Sequence, residues 1–257
     1  MRVGGAGALH GSAMTSVIET HELSRRFGRR WALARVDLRV DEGERLLVLG
    51  SNGSGKTTLL RVLATLLTPT RGSLRLFGQE VAADPLAARR RIGLVTHSSG
   101  VYEDLSGTDN LGVQASLLSR PVPPDLLDRV GLDARPDPVR TYSAGMRKRL
   151  SFALMLHKQA DLVLLDEPFA QLDPAGMDQA AGLIRDLPGT VVVASHQVRR
   201  ASALCDRALL LDRGLPRWQG PASEAWEAWR ALHGGGADEA LGDPAGGASD
   251  GATGKAG

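Results

Sequence analysis

The apolar run RLLVLG at residues 45–50 passes without a break into the glycine-rich SNGSGK, and from there into the helical pattern KTTLLRVLATLL at 56–67. An unbroken apolar run of that length reads as a buried strand. The glycines permit a tight turn, and Leu59, Leu60, Leu63, Leu66 and Leu67 fall on one helical face. A strand, a small-residue loop and an amphipathic helix in immediate succession favour one kind of architecture. Further short apolar runs follow: RIGLV (91–95), LVLLD (162–166), TVVVAS (190–195) and RALLLD (207–212). Strands alternating with helices imply an α/β fold with a mostly parallel sheet.

The rest of the chain is arranged around that core. The segment from about 17 to 44, with RVDLRV in it, reads as antiparallel β. The segment from about 100 to 158 is largely helical, is broken by RPVPPD, and reads as a helical subdomain. TYSAGMRKRLSFALMLHK (141–158) is its clearest helix. Ser143 suits an N-cap, and Met146, Leu150 and Leu154 make a buried stripe with Arg147, Lys148 and Arg149 largely off it. EAWEAWRAL, with Trp226 and Trp229, reads as a packed helix. Residues 1–16 and 234–257 are poor in apolar side chains and read as a disordered extension and tail, with 17–233 between them as the folded unit. Met14 is an alternative start.

Composition excludes several classes. The chain has 257 residues, 42% hydrophobic and 23% charged, with a net charge of +2, and this gives no reason to expect a nucleic-acid partner. No stretch approaches the roughly 18–20 apolar residues that span a bilayer. The single cysteine, Cys205, rules out an intrachain disulfide and fits a reducing compartment.

The strand ends carry the chemistry. GSNGSGKT, from Gly50 to Thr57, has the spacing G-x-x-x-x-G-K-[ST] directly after a strand and at the start of a helix. Backbone N–H groups and the helix N-terminus there suit phosphate oxygens. Lys56 is placed to reach the outer phosphates, and Thr57 to hold Mg²⁺. LVLLDEP ends in Asp166, a second oxygen ligand for Mg²⁺, and Glu167, which can polarise an attacking water. TVVVASH ends in His196, which can orient phosphate and water. A histidine alone at a strand end is more often structural. Beside a phosphate and Glu167 it has a function.

These residues, taken in order, resemble the ATP-binding cassette ATPases of ABC transporters, from about Val17 to Leu215. The resemblance implies a phosphate-loop NTPase (RecA-like) core with an antiparallel β subdomain and a helical subdomain. It implies ATP and Mg²⁺, with Phe27 stacking on adenine. Gly50, Ser51, Asn52, Gly53, Ser54, Gly55, Lys56, Thr57 and Thr58 then form the phosphate cradle. YSAGM (142–146) stands where the family has LSGGQ, with Tyr142, Ala144 and Met146 as departures. Ser143 and Gly145 would bind the ATP held by a second cassette. AQLD (170–173) matches the dimer-contact loop through Asp173. Glu167 is then the general base. His97, after RIGLV and before SSGVYEDL, holds the place of a glutamine that usually touches Mg²⁺ or the lytic water.

The implied function is the ATPase subunit of an exporter. It would work as a dimer on separate polytopic membrane subunits, in the cytoplasm at the inner face of the cell membrane. The stretch from His97 to Leu105, with YSAGMRKRLSFAL and LDEPFAQLDPAG, is similar to the ATPase subunits of haem exporters used in cytochrome c maturation. ATPases of drug or polysaccharide exporters, and soluble cassette ATPases in cofactor assembly, are the other readings.

Overall fold

The computed structural model describes residues 15–96 and 100–234. The chain opens with a long antiparallel hairpin of β1 (Ser16–Phe27) and β2 (Arg30–Asp41), turned at Gly28 and Arg29. It then enters β3 (Arg45–Leu49) and α1 (Lys56–Leu63). β4 (Arg71–Leu76) returns to pair antiparallel with β1, and β5 (Gln79–Glu80) lies at the edge. After α2 (Pro85–Arg90) comes β6 (Ile92–Val95). The helical part holds α3 (Gly107–Leu118), α4 (Leu126–Arg129) and α5 (Ala144–Lys158). β7 (Leu162–Asp166), α6 (Pro174–Arg185), β8 (Thr190–Ser195) and α7 (Val198–Ser202) follow. β9 (Arg207–Asp212), β10 (Leu215–Pro221) and α8 (Ala225–His233) complete the described chain.

The strands form two sheets, ordered β2-β1-β4-β5 and β10-β9-β3-β8-β7-β6. In the second sheet every pair is parallel except β9 with β10. Side chains alternate across a strand, and here both faces are covered. Leu47, Leu49, Val163, Leu165, Val191 and Val193 face one core, shared with α5, α6 and Trp229 of α8. Leu46, Val48, Leu162, Leu164, Val192 and Ala194 face the other, shared with α1 and the antiparallel sheet. Burial on both sides is why these strands read as unbroken apolar runs rather than alternating ones. Parallel strands bring the ends of β3, β7 and β8 to one edge, where ligands bind in open α/β sheets.

The α/β class, the antiparallel part and the helical part agree with the sequence reading, and several details differ. β1 begins at Ser16, with Val17 buried. The antiparallel sheet also includes β4, well beyond residue 44. α1 stops at Leu63 instead of 67 because Thr65 takes a left-handed φ of 58°. Arg89 fixes that exit, donating to the Thr65 hydroxyl at 2.7 Å and to its carbonyl at 2.6 Å. Leu66 is consequently 55% exposed, off the buried face that Leu59, Leu60 and Leu63 share.

α5 starts at Ala144, since Val139–Thr141 form a 3-10 turn and Tyr142 is extended. Ser143 is its N-cap as expected, accepting from the Met146 N–H at 3.1 Å. The buried face differs from the Met146–Leu150–Leu154 stripe, since Met146 and Leu154 are only partly buried. It includes Lys148, Leu150, Phe152, Ala153 and Met155, because the helix packs against α3, α4 and β6. The expectations for residues 1–14 and 235–257 lie outside the described residues.

Candidate nucleotide site

The loop after β3 leaves no room for a side chain at Gly50 or Gly55. A Cβ on Gly50 would lie 2.1 Å from the Ser54 hydroxyl and 2.5 Å from the Leu211 carbonyl. Gly55 has φ +112°, and its Cβ would come within 2.6 Å of the Ala32 carbonyl. The Gly214 N–H donates to the Ser54 carbonyl at 2.8 Å and ties the loop to the β9–β10 turn. Gly55 is the N-cap of α1 and no side chain caps the helix, so its first-turn N–H groups and positive end face the loop.

Lys56 is 5% exposed. Its Nζ donates to the Gly50 carbonyl at 2.7 Å and to that of Ser51 at 3.3 Å, and lies 3.7 Å from Glu167 Oε1. Burial lowers its pKa, and the Glu167 and Asp166 charges act against that shift. The Thr57 hydroxyl donates to Asp166 Oδ1 at 3.1 Å. Burial raises the Asp166 pKa, and the Thr57 hydrogen bond pulls it back. Two adjoining oxygens beside a glycine cradle fit Mg²⁺, which keeps waters and takes one or two protein oxygens with substrate phosphates.

Glu167 follows Asp166 with a left-handed φ of 49°. Holding a non-glycine residue there costs on the order of 1–3 kcal/mol. The Glu167 N–H donates to the Ala194 carbonyl at 2.8 Å. The Glu167 carbonyl accepts from Lys148 Nζ at 3.1 Å. Its Oε2 lies 2.9 Å from His196 Nδ1. Strands β7 and β8 thus deliver Glu167 and His196 to each other, as the sequence motifs required.

A cleft of about 410 Å³ runs from Phe27, Arg30 and Ala32 over residues 52–58 to Glu167. Phe27 is 47% exposed, and the Arg25 guanidinium lies 4.8 Å from its ring centre. Ser143, Gly145 and Asp173 do not line this cleft. Ser143 caps α5, and Asp173 caps α6, accepting from the Gly176 N–H at 3.1 Å. A Cβ on Gly145 would lie 3.1 Å from the Gln171 carbonyl, so the start of α5 and the loop before Asp173 are close neighbours. Tyr142 is buried, and its hydroxyl accepts from the Gly107 N–H at 3.1 Å, joining the starts of α3 and α5. His97 lies outside the described residues.

The sequence reading missed Lys148, Arg30 and the tether through Gly214. The sequence puts Lys148 with its neighbours off the buried stripe, yet it is 3% exposed. Burial lowers its pKa, and Asp166 and Glu167 oppose that shift. One signal was available: three successive helical cations point in directions about 100° apart, so they cannot all share one solvated face.

Comparison with known proteins agrees with this geometry. The ABC transporter family model matches residues 33–170. The chain is 37% identical over 220 residues to the daunorubicin/doxorubicin resistance ATP-binding protein DrrA of Streptomyces peucetius, covering 82% of this chain and 67% of that one. It is 33% identical over 213 residues to the Nod factor export ATP-binding protein I of Cupriavidus pinatubonensis, covering 79% and 65%. The matched part thus spans about two thirds of these relatives' length.

Among solved structures, an ATP-binding subunit of an ABC transporter superposes with a TM-score of 0.73 at 25% identity, covering 87% of this chain and 97% of that one. A dimeric cassette in a post-hydrolysis state with ADP and Pi gives 0.71 at 23%, covering 80% and 98%, and shares the fold. With the phosphate loop, the β7 carboxylates and His196 all at one sheet edge, the chain belongs to the ABC transporter family and is one of its ATPase cassettes.

Proposed function

We propose that the chain is the ATP-hydrolysing subunit of a small-molecule exporter, acting as a pair of cassettes on separate membrane subunits. The observation that carries the hydrolytic reading is the convergence of Lys56, Thr57, Asp166, Glu167 and His196 at the ends of three parallel strands. ATP would lie with its base against Phe27 and its phosphates over residues 50–58. Lys56 would turn from the loop carbonyls to the outer phosphates. Thr57 and Asp166 would hold Mg²⁺, which supplies positive charge to the phosphate oxygens as negative charge builds there. Glu167, oriented by His196, takes the proton of the water that attacks in line. Ser143, Gly145 and Asp173 would serve the nucleotide of a second chain, which accounts for their position outside the cleft.

A second cleft, of about 440 Å³, supports a membrane partner. Leu66, Arg89, Tyr102, Leu117 and Leu154 are among the residues that line it, and Leu117 is 77% exposed. Gly100 and Tyr102, which line it, belong to the stretch that the family turns towards its membrane subunits. No helix among the described residues is long and apolar enough to cross a membrane. Export of drug-like compounds is favoured over export of haem. The relatives bear the names of daunorubicin resistance, Nod factor export and bacitracin transport proteins, and none of these names refers to haem.

Two measurements test this reading. Glu167→Gln should bind ATP as the parent does, accumulate an ATP-bound dimer in sedimentation, and lose turnover by on the order of 100-fold or more. Near-normal turnover would remove Glu167 from the role of base. Tagged chain isolated from membranes should bring down a polytopic protein, whereas a soluble partner alone would point to a cassette outside transport.

A further inference from the structure

The run Arg147, Lys148, Arg149 splits in direction. Arg149 reaches the Gly131 carbonyl at 2.7 Å and Asp173 at 3.4 Å, and Arg147 reaches back to the Tyr142 carbonyl. Lys148 alone of the three is buried, and its ammonium meets the Glu167 carbonyl at 3.1 Å. A buried charge is costly unless it is paired and hydrogen-bonded, and the charges facing this one are Asp166 and Glu167.

We propose that Lys148 is a positioning residue for hydrolysis, clamping the carbonyl of Glu167 and offsetting the two adjoining carboxylates so that the Glu167 side chain is held on the reacting water. Two observations support the clamp. First, Glu167 sits in a left-handed backbone conformation that surrounding contacts must hold. Those contacts are the Ala194 carbonyl on its N–H, and Lys148 and the Ala170 N–H on its carbonyl. Second, Lys148 does not line the nucleotide cleft, so its effect on chemistry passes through Glu167. The clamp also starts from the helix that begins at Ser143, so a shift of α5 reaches the base through one side chain. The proposal rests on Glu167 being the general base.

The test uses the full chain with Mg²⁺ and ATP. Lys148→Met should lower kcat about tenfold or more, since small misplacements of a catalytic group are costly in rate. ATP affinity should stay within about twofold of the parent, because the cleft is untouched. Lys148→Arg keeps charge and donors and should recover most of the rate. Lys148→Gln keeps a donor without charge and should fall between the two. It replaces the Met variant if that chain does not fold.

A folded Met or Gln variant with kcat within about twofold of the parent overturns the clamp. So does a loss of ATP affinity and melting temperature that runs in parallel with the rate. Glu167→Gln separates the two readings. If it stops turnover while Lys148→Met does not, only the clamp fails. If it leaves turnover intact, the base assignment fails and takes the clamp with it.

Discussion

Helices α1 and α5 both begin in short loops of small residues, and they begin on opposite terms. α1 is entered through Gly55, with no side chain capping it and with the buried Lys56 as its first residue. α5 is entered through Ser143, whose hydroxyl already accepts the Met146 N–H. At the first start the amide donors and the cation face a cleft, and Lys56 hydrogen-bonds to loop carbonyls. The second start is complete as it stands. Yet a hydroxyl that accepts one hydrogen bond still has a proton to donate, so Ser143 can cap its own helix and serve a phosphate together. In the proposed function one chain would hold a whole phosphate cradle at α1 and, at α5, half of a contact that another chain's nucleotide would finish.

The contrast breaks most sharply at Lys56. Lys56→Ala removes the cation at the uncapped start and leaves the Gly50 and Ser51 carbonyls without that donor. ATP affinity and hydrolysis should fall together, with kcat/KM down by on the order of 100-fold or more, because charge is lost from both ground and transition states. Titration calorimetry and steady-state turnover measure the two. Unchanged binding would mean that the α1 start does not carry the phosphates.

How much of this was legible beforehand follows the range of the interactions. The phosphate loop, the β7 carboxylates and His196 could be read because each motif is continuous in sequence and its strand is buried on both faces. Ser143 as N-cap was readable for the same reason, since a cap needs only the next three residues. What failed was set by distant partners. β4 joins β1 across more than forty residues, and nothing local in RGSLRL marks it. The end of α1 is decided by Arg89, far along the chain. Lys148 is buried where it meets the Glu167 carbonyl just past β7, while its immediate neighbours are arginines with other partners.

Ser143 sharpens the comparison with a smaller effect, because capping and phosphate binding can be pulled apart there. Ser143→Ala loses both the cap, worth about 1 kcal/mol of stability, and the donor. Ser143→Asp keeps a good cap but offers a carboxylate where the phosphate would sit. The Asp variant should melt with the parent and bind ATP as a monomer. It should fail to form the ATP-driven dimer and lose most of its hydrolysis. Thermal melts and turnover of the single variant, with sedimentation in ATP in the Glu167→Gln background, separate these outcomes. If the Asp variant dimerises and turns over normally, Ser143 only caps its helix.

The smallest effect is expected at the far end of the cleft, where Phe27 supplies an exposed ring at the end of β1. Arg25 lies over that ring at 4.8 Å, which leaves the opposite side for a base. A stacked aromatic pair contributes roughly 1 kcal/mol beyond its buried area. Phe27→Ala should therefore weaken ATP binding about five- to tenfold. Stacking acts alike on ground and transition states, so kcat at saturating ATP should not change. Phe27→Trp keeps the ring and should bind as the parent does. A fall in kcat with unchanged affinity would place Phe27 in the chemistry and not at the base. Equal affinity in Phe27→Ala would mean that the α1 start holds the nucleotide by its phosphates alone.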